Sequence, residues 1–177
     1  ADARALANLP DEEMQFLVAA SSLIEQALGK ESQMYARSLL KQALVFNDMG
    51  KIDSAEIKVQ AVQEIFPGIP GDTRVIEAGI YHVLGDIHRV QQQYEAAIRY
   101  WEKALAIRLA FYGADHPYIP SYYNNLAVLY QYINNNDKAL EYYKKALDIS
   151  KKIYGDESYD AALAYANIGG IYMNLEA

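Results

Sequence analysis

Tyr123-Asn124-Asn125-Leu126-Ala127-Val128-Leu129-Tyr130, followed after a short gap by Ala139-Leu140-Glu141-Tyr142-Tyr143-Lys144-Lys145-Ala146-Leu147, is the stretch that decides the fold. Tyr123, Leu126, Ala127 and Tyr130 fall at i, i+3, i+4 and i+7, which is one face of a helix. Ala139, Tyr143, Ala146 and Leu147 mark one face of a second helix in the same way. Between them Asn134-Asn135-Asn136-Asp137 supplies turn residues and a candidate N-cap. The alanines let two helix axes approach closely, and the aromatic rings fill the space beside them.

The same pattern recurs along the chain at a step of 42 residues. Gly29, Gly71, Gly113 and Gly155 keep that step, as do Ala55, Ala97 and Ala139. Ala43, Gly85, Ala127 and Gly169 form a small-residue column; Phe46, His88, Tyr130 and Tyr172 form a nearly all-aromatic one. A fixed period of this size marks a repeat architecture. The spacing predicts eight helices, near 11–28, 32–48, 52–66, 73–90, 94–112, 117–133, 137–154 and 158–175. Short turns between them require antiparallel neighbours. One hairpin cannot bury its apolar face alone, so the hairpins must stack.

The composition narrows the function. Of 177 residues, 52 % are hydrophobic and 22 % charged, which fits a packed chain and not a disordered one. A formal net charge of −7 argues against a nucleic-acid partner, which selects basic faces. With no cysteine there is no thiol nucleophile, disulfide or Cys-based zinc site. No apolar run reaches the length of a membrane span. Localisation stays open, with the cytoplasm favoured. The chain starts at Ala1-Asp2 without Met, as a processed or excised product would.

Chemistry-bearing motifs are not found. His82 and His88 are six apart, which points them to different helix faces, so neither joins the other as a metal pair. Gly169-Gly170 lies inside a helical pattern and lacks the companions of a phosphate loop. No Gly-x-Ser-x-Gly elbow occurs. No metal, cofactor or catalytic residue is expected. The Lys144-Lys145 and Lys151-Lys152 runs read as a solvated face. His116 reads as a structural loop residue, Asp115 as a cap and Pro117 as a first-turn proline of the next helix. Tyr123, Tyr130, Tyr165 and Tyr172 read as core.

The run Tyr81-x2-Leu84-Gly85-x2-His88 followed by Ala97-x3-Trp101-x2-Ala104 resembles the tetratricopeptide repeat signature. The 42-residue step, and Gly113-Ala114-Asp115-His116-Pro117 ahead of Tyr123-Asn124-Asn125-Leu126-Ala127, are similar to the kinesin light chain variety of that repeat. The resemblance implies an all-α fold, a right-handed α-solenoid of stacked antiparallel helical hairpins. It implies a single array over 1–177: a half repeat at 11–31, repeats at 32–72, 73–114 and 115–156, and a half repeat at 157–177. Beginning and ending on half repeats, the chain reads as part of a longer array. Two departures stand out. Pro67-Gly68-Ile69-Pro70-Gly71 should end the third helix near Phe66, and Asn136 stands where Tyr94 obeys the family's aromatic preference.

In this family the first helix of each pair lines a concave groove that binds protein or peptide segments. Carried over by position, the resemblance puts Asn125 and Asn167 where an asparagine bonds a ligand backbone, a task suited to a side chain that both donates and accepts. Lys41 and Val83 hold the equivalent places in earlier repeats. Arg37, His82, Asp86, Arg89, Asn124, Gln131, Tyr132 and Asn174 complete the candidate groove with Lys41. Arg37, Lys41 and Arg89 favour an acidic segment in the N-terminal half. The expected function is a non-catalytic protein-binding scaffold. Two other readings stand beside it. One is self-association through apolar faces carrying Phe16 and Leu17, or Ile168, Ile171 and Tyr172. The other is a regulatory array joined to an effector domain outside this chain.

Overall fold

The structure is a computed structural model that describes residues 3–175, with side chains from 10 to 173. Among these residues there are eight α-helices and no strand: α1 (Ala3–Leu28), α2 (Gln33–Asp48), α3 (Ile52–Ile65), α4 (Arg74–Val90), α5 (Tyr94–Tyr112), α6 (Ile119–Tyr132), α7 (Asn136–Tyr154) and α8 (Tyr159–Leu175). The fold class is an all-α solenoid of helical hairpins, as the repeat predicts. The chain divides between Gln91 and Gln92 into two compact units, one holding α1–α4 and the other α5–α8.

Two left-handed backbone positions per repeat shape the turns. Inside the hairpins these are Gly50, Gln92 and Asn134, at φ of 72°, 60° and 57°. The bonds around them repeat as well. Lys51 N–H donates to Phe46 O at 2.8 Å, and Asn135 N–H donates to Tyr130 O at 2.8 Å. That six-residue closure, around a left-handed residue, satisfies the last carbonyls of a helix. Between hairpins the glycine column does the work. Gly113 and Gly155 sit at φ 84°, ψ 165° and φ 88°, ψ 168°, a region essentially reserved for glycine. This explains the 42-residue glycine step without reference to any ligand.

The helix starts are capped locally. Ser32 Oγ accepts from Tyr35 N–H at 3.2 Å, and Asn135 Oδ1 accepts from Lys138 N–H at 3.2 Å. Each bond satisfies a donor that the first turn leaves open. α3 ends at Ile65 and runs into a 3₁₀ turn over Phe66–Gly68, as the Pro67 interruption predicts. Three details differ from expectation. α1 passes through Pro10 and reaches back to Ala3, so the proline costs one main-chain bond without ending the helix. α6 begins at Ile119, with Pro120 rather than Pro117 in its first turn. Asp115 does not cap it: its carboxylate takes Lys152 Nζ. His116 does the turn-forming work, its Nδ1 accepting from Tyr118 N–H at 3.3 Å while its ring stacks on Tyr112 at 4.2 Å.

In the first unit the core gathers Ala36, Leu39, Leu40 and Ala43 of α2, Ala55, Val59 and Val62 of α3, and Ile76, Ile80, Val83 and Ile87 of α4. In the second, Ala127 of α6 and Ala139 and Ala146 of α7 are fully buried. Tyr143, with 1 % of its surface exposed, fills the adjacent space. Tyr130 is core as expected. Its hydroxyl donates to Glu102 Oε1 at 2.7 Å, and the Tyr142 hydroxyl donates to the same oxygen at 3.1 Å. The two rings stack at 5.4 Å. Tyr123 is half-buried, whereas Tyr165 and Tyr172 are exposed at 51 % and 47 %. Those two depart from the expected core, because α6 is flanked by both α5 and α7 while α8 packs mainly on α7.

Replacing Gly113 by Ala should therefore lower stability by roughly 1–3 kcal/mol. The space around the missing Cβ is open, so the loss would come from backbone strain alone. A urea melt followed by circular dichroism measures it, and an unchanged midpoint would show that this turn tolerates a side chain.

Candidate functional site

The first helices carry the candidate residues, and the structure sorts them. On α2, Arg37 and Lys41 are four residues apart and both exposed, so they share a face. Lys41 Nζ lies 3.7 Å from Glu13 Oε1. It also borders a depression with Glu12, Glu13, Phe16, Leu17 and Ala20. The basic pair expected in the N-terminal half is therefore partly neutralised by α1.

On α4, His82, Asp86 and Arg89 come together. Asp86 Oδ2 is 3.7 Å from His82 Nε2, and Arg89 Nε donates to Asp86 Oδ1 at 3.4 Å. Only 13 % of the Asp86 side chain is exposed. Burial raises its carboxyl above the ordinary aspartate value of 3.8, and the Asp48 charge adds to this; His82 and Arg89 pull the other way. Val83, beside His82, is buried in the core. A hydrophobic residue there breaks any continuous row of polar groups at the Lys41–Asn125–Asn167 position.

In the second unit, Asn125 on α6 is exposed while its neighbours Asn124 and Leu126 are buried. Asn124 is thus turned into the packing, with its Oδ1 buried and unbonded, and is removed from the accessible set. Gln131 is half-buried, its Oε1 accepting from the Tyr143 hydroxyl at 2.8 Å. Tyr132 is 57 % exposed and stacks on Tyr94 at 4.7 Å, nearly coplanar at 8°. Asn167 on α8 is half-buried. The side chain of Asn174 lies outside the described residues.

Sequence reasoning missed a polar-aromatic cluster formed by α5, α6 and α7. Lys138 Nζ donates to the Tyr130 hydroxyl at 3.3 Å, and Lys145 Nζ lies 5.3 Å from the Tyr142 ring centre. Burial, followed by the Glu102 charge and hydrogen bond, pushes the Tyr142 hydroxyl up to about 12. Burial first and then Tyr132 do the same for Tyr143. Such hydroxyls stay protonated and act as donors, not as bases. Of this cluster, the sequence marks only the aromatic spacing. Among the described residues no group of three or more His, Cys, Asp or Glu could hold a metal ion, and no helix is long and apolar enough to cross a membrane.

The tetratricopeptide repeat family model matches residues 77–152 and 118–174, more than half of the chain. The chain belongs to the tetratricopeptide repeat family. Its fold is similar to that of BtubC (BKLC) from P. vanneervenii, at 19 % identity and a TM-score of 0.72, over 91 % of this chain and 66 % of that one. It is also similar to the kinesin-light-chain-type, nearly identical TPR-like repeats of Podosopora anserina, at 17 % identity and 0.71, covering 95 % and 80 % of the two chains. MamA is similar at 20 % identity and 0.60, covering 96 % and 83 %. No curated protein matches significantly. The 42-residue step and the fold are both similar to those of kinesin light chain-type repeats. Arrays of this family are in general protein-interaction scaffolds and generally non-catalytic.

The shielded carboxyl of this array gives a pH prediction. A raised folded-state pKa means that the folded chain holds the Asp86 proton more firmly than the unfolded chain. Asp86 then favours folding most below pH 3.8 and loses that contribution as pH rises through its folded pKa. Wild type compared with Asp86→Asn in thermal melts from acid to neutral pH should show this falling difference. A difference independent of pH would contradict it.

Proposed function

We propose that this chain is a non-catalytic protein- or peptide-binding scaffold, and that a partner segment is held against the first helices of its hairpins in one array over 1–177. The observation that carries this reading is the amide of Asn125. It stands exposed between two buried residues, one repeat before Asn167. An amide held out from a packed helix can donate to a carbonyl and accept from an N–H of an extended segment at once.

The neighbouring groups suit the same task. Tyr132 offers a flat ring already fixed by its stack on Tyr94, so little side-chain freedom is lost when a guest packs on it. Arg37 and Lys41 lie one turn apart on α2, and Arg89 lies near the end of α4. Arg89 is engaged by Asp86 and Lys41 by Glu13. The cationic preference for an acidic segment then rests mainly on Arg37, and a mixed-polarity segment is the better fit.

The test uses this chain as bait and its captured partner as readout. Asn125→Ala together with Asn167→Ala should weaken capture about tenfold, at roughly 0.5–1.5 kcal/mol for each lost hydrogen bond. Helicity should stay unchanged. If the partner is retained in full by the double variant, the assignment to the first helices is wrong.

A further inference from the structure

The joint between α1 and α2 is made of different chemistry from its counterpart between α7 and α8. Ser21, Ser38 and Gln42 stand three 42-residue steps before Leu147, Ala164 and Ile168. In α7 and α8 that trio packs as a small apolar core. In α1 and α2 it is a chain of hydrogen bonds. The Gln42 amide donates to Leu17 O at 3.3 Å and to Ser21 Oγ. Ser21 Oγ lies 2.8 Å from Leu17 O and 3.0 Å from Ser38 Oγ. Ser38 Oγ in turn donates to Tyr35 O at 2.7 Å. Gln42 is 1 % exposed and Ser21 6 %, so the inner end of the network is dry. Both helices of the joint belong to the first unit.

One bond is missing from this network. Gln42 Oε1 is buried without a hydrogen-bond partner. A buried polar atom left unpaired disfavours the closed joint, and water supplies the missing bond once the joint opens. The amide and the two hydroxyls likewise exchange protein partners for water at little net cost. The apolar trio behaves in the opposite way, because parting α7 from α8 wets Leu147 and Ile168. We infer that the α1–α2 joint is a gate: α1 parts from α2 along this polar seam while α2, α3 and α4 stay folded.

The rest of the first unit has its own support. Among the described residues, the core shared by α2, α3 and α4 contains no side chain of α1. The buried side chains that α1 itself brings are Met14 and Ser21. Its charged ties are exposed. Glu13 Oε1 lies 3.7 Å from Lys41 Nζ, and Asp11 Oδ1 lies 3.7 Å from Lys51 Nζ. Ion pairs of this kind add little to stability, and opening breaks both. The closed gate presents these two lysines neutralised, and the open gate presents them as free cations. The gate therefore sets the charge that the α2–α3 hairpin offers. It rests on the seam and not on the binding role proposed for Asn125 and Asn167.

The chain has no cysteine, so a thiol placed in the seam reports its opening. In native buffer, Ser21→Cys should react with a thiol reagent faster than global unfolding allows, at a rate that barely changes with urea until the melt begins. Adding Ser38→Ala and Gln42→Leu gives the seam the apolar character of the α7–α8 joint and should slow labelling about tenfold or more. Hydrogen exchange of the unaltered chain gives a second reading that needs no variant. The amides of residues 17–25 should exchange as one set, ahead of those of α2, α3 and α4. Labelling that rises with urea in step with global unfolding overturns the gate. So does a triple variant labelled as fast as Ser21→Cys, or an α1 whose amides exchange together with those of α2.

Discussion

Two helices can cross closely only where the side chains between them stop at Cβ, and the α2–α3 and α6–α7 hairpins each contain such a crossing. Ala43 of α2 shares a core with Ala55 of α3; Ala127 and Ala139 are fully buried in α6 and α7. Close approach leaves gaps to either side, which Val59, Leu126 and Tyr143 fill. Interiors are packed so densely that a single larger residue at the crossing would push the axes apart. The crossings also explain why the turns are so strict. A hairpin whose helices must meet at a fixed point cannot vary its connection, and the left-handed residues at Gly50, Gln92 and Asn134 give one turn geometry each time.

Aromatic filling brings a second constraint. A tyrosine large enough to span the gap carries a hydroxyl into a partly dry region, and that hydroxyl needs an acceptor. Glu102 serves two of them, Tyr130 and Tyr142, and Gln131 serves Tyr143. Gln131 is thereby tied into the hairpin, which lowers its value as a group free to meet a guest. The same residue column holds Asn47 in α2, where the side chain is buried, and Arg89 in α4, where it pairs with Asp86. Position in the repeat sets where a side chain starts, while its local partners decide whether it remains available.

This is why the fold was so fully legible in the sequence and the candidate site only in part. Helix faces, turns and crossings are written in residue size and spacing, and these recur every 42 residues in plain view. The end of α3 at Pro67 could be read from one residue. The false start of α6 at Pro117 arose because the start of that helix depends on the His116 turn, a contact between side chain and backbone with no periodic signature. Asn124 and Asn125 are identical in type and adjacent in sequence, yet one is buried and the other exposed. A rotation of one residue along the helix separates them. Composition cannot register it, and the repeat alignment singles out Asn125 only by its match with Asn167.

Burial in a stacked array is a property of the neighbour as much as of the residue. Tyr130 and Tyr172 are equivalent by sequence, and α6 and α8 both pack on α7. What differs is the helix on the far side, which carries Glu102 and encloses Tyr130 through its hydrogen bond.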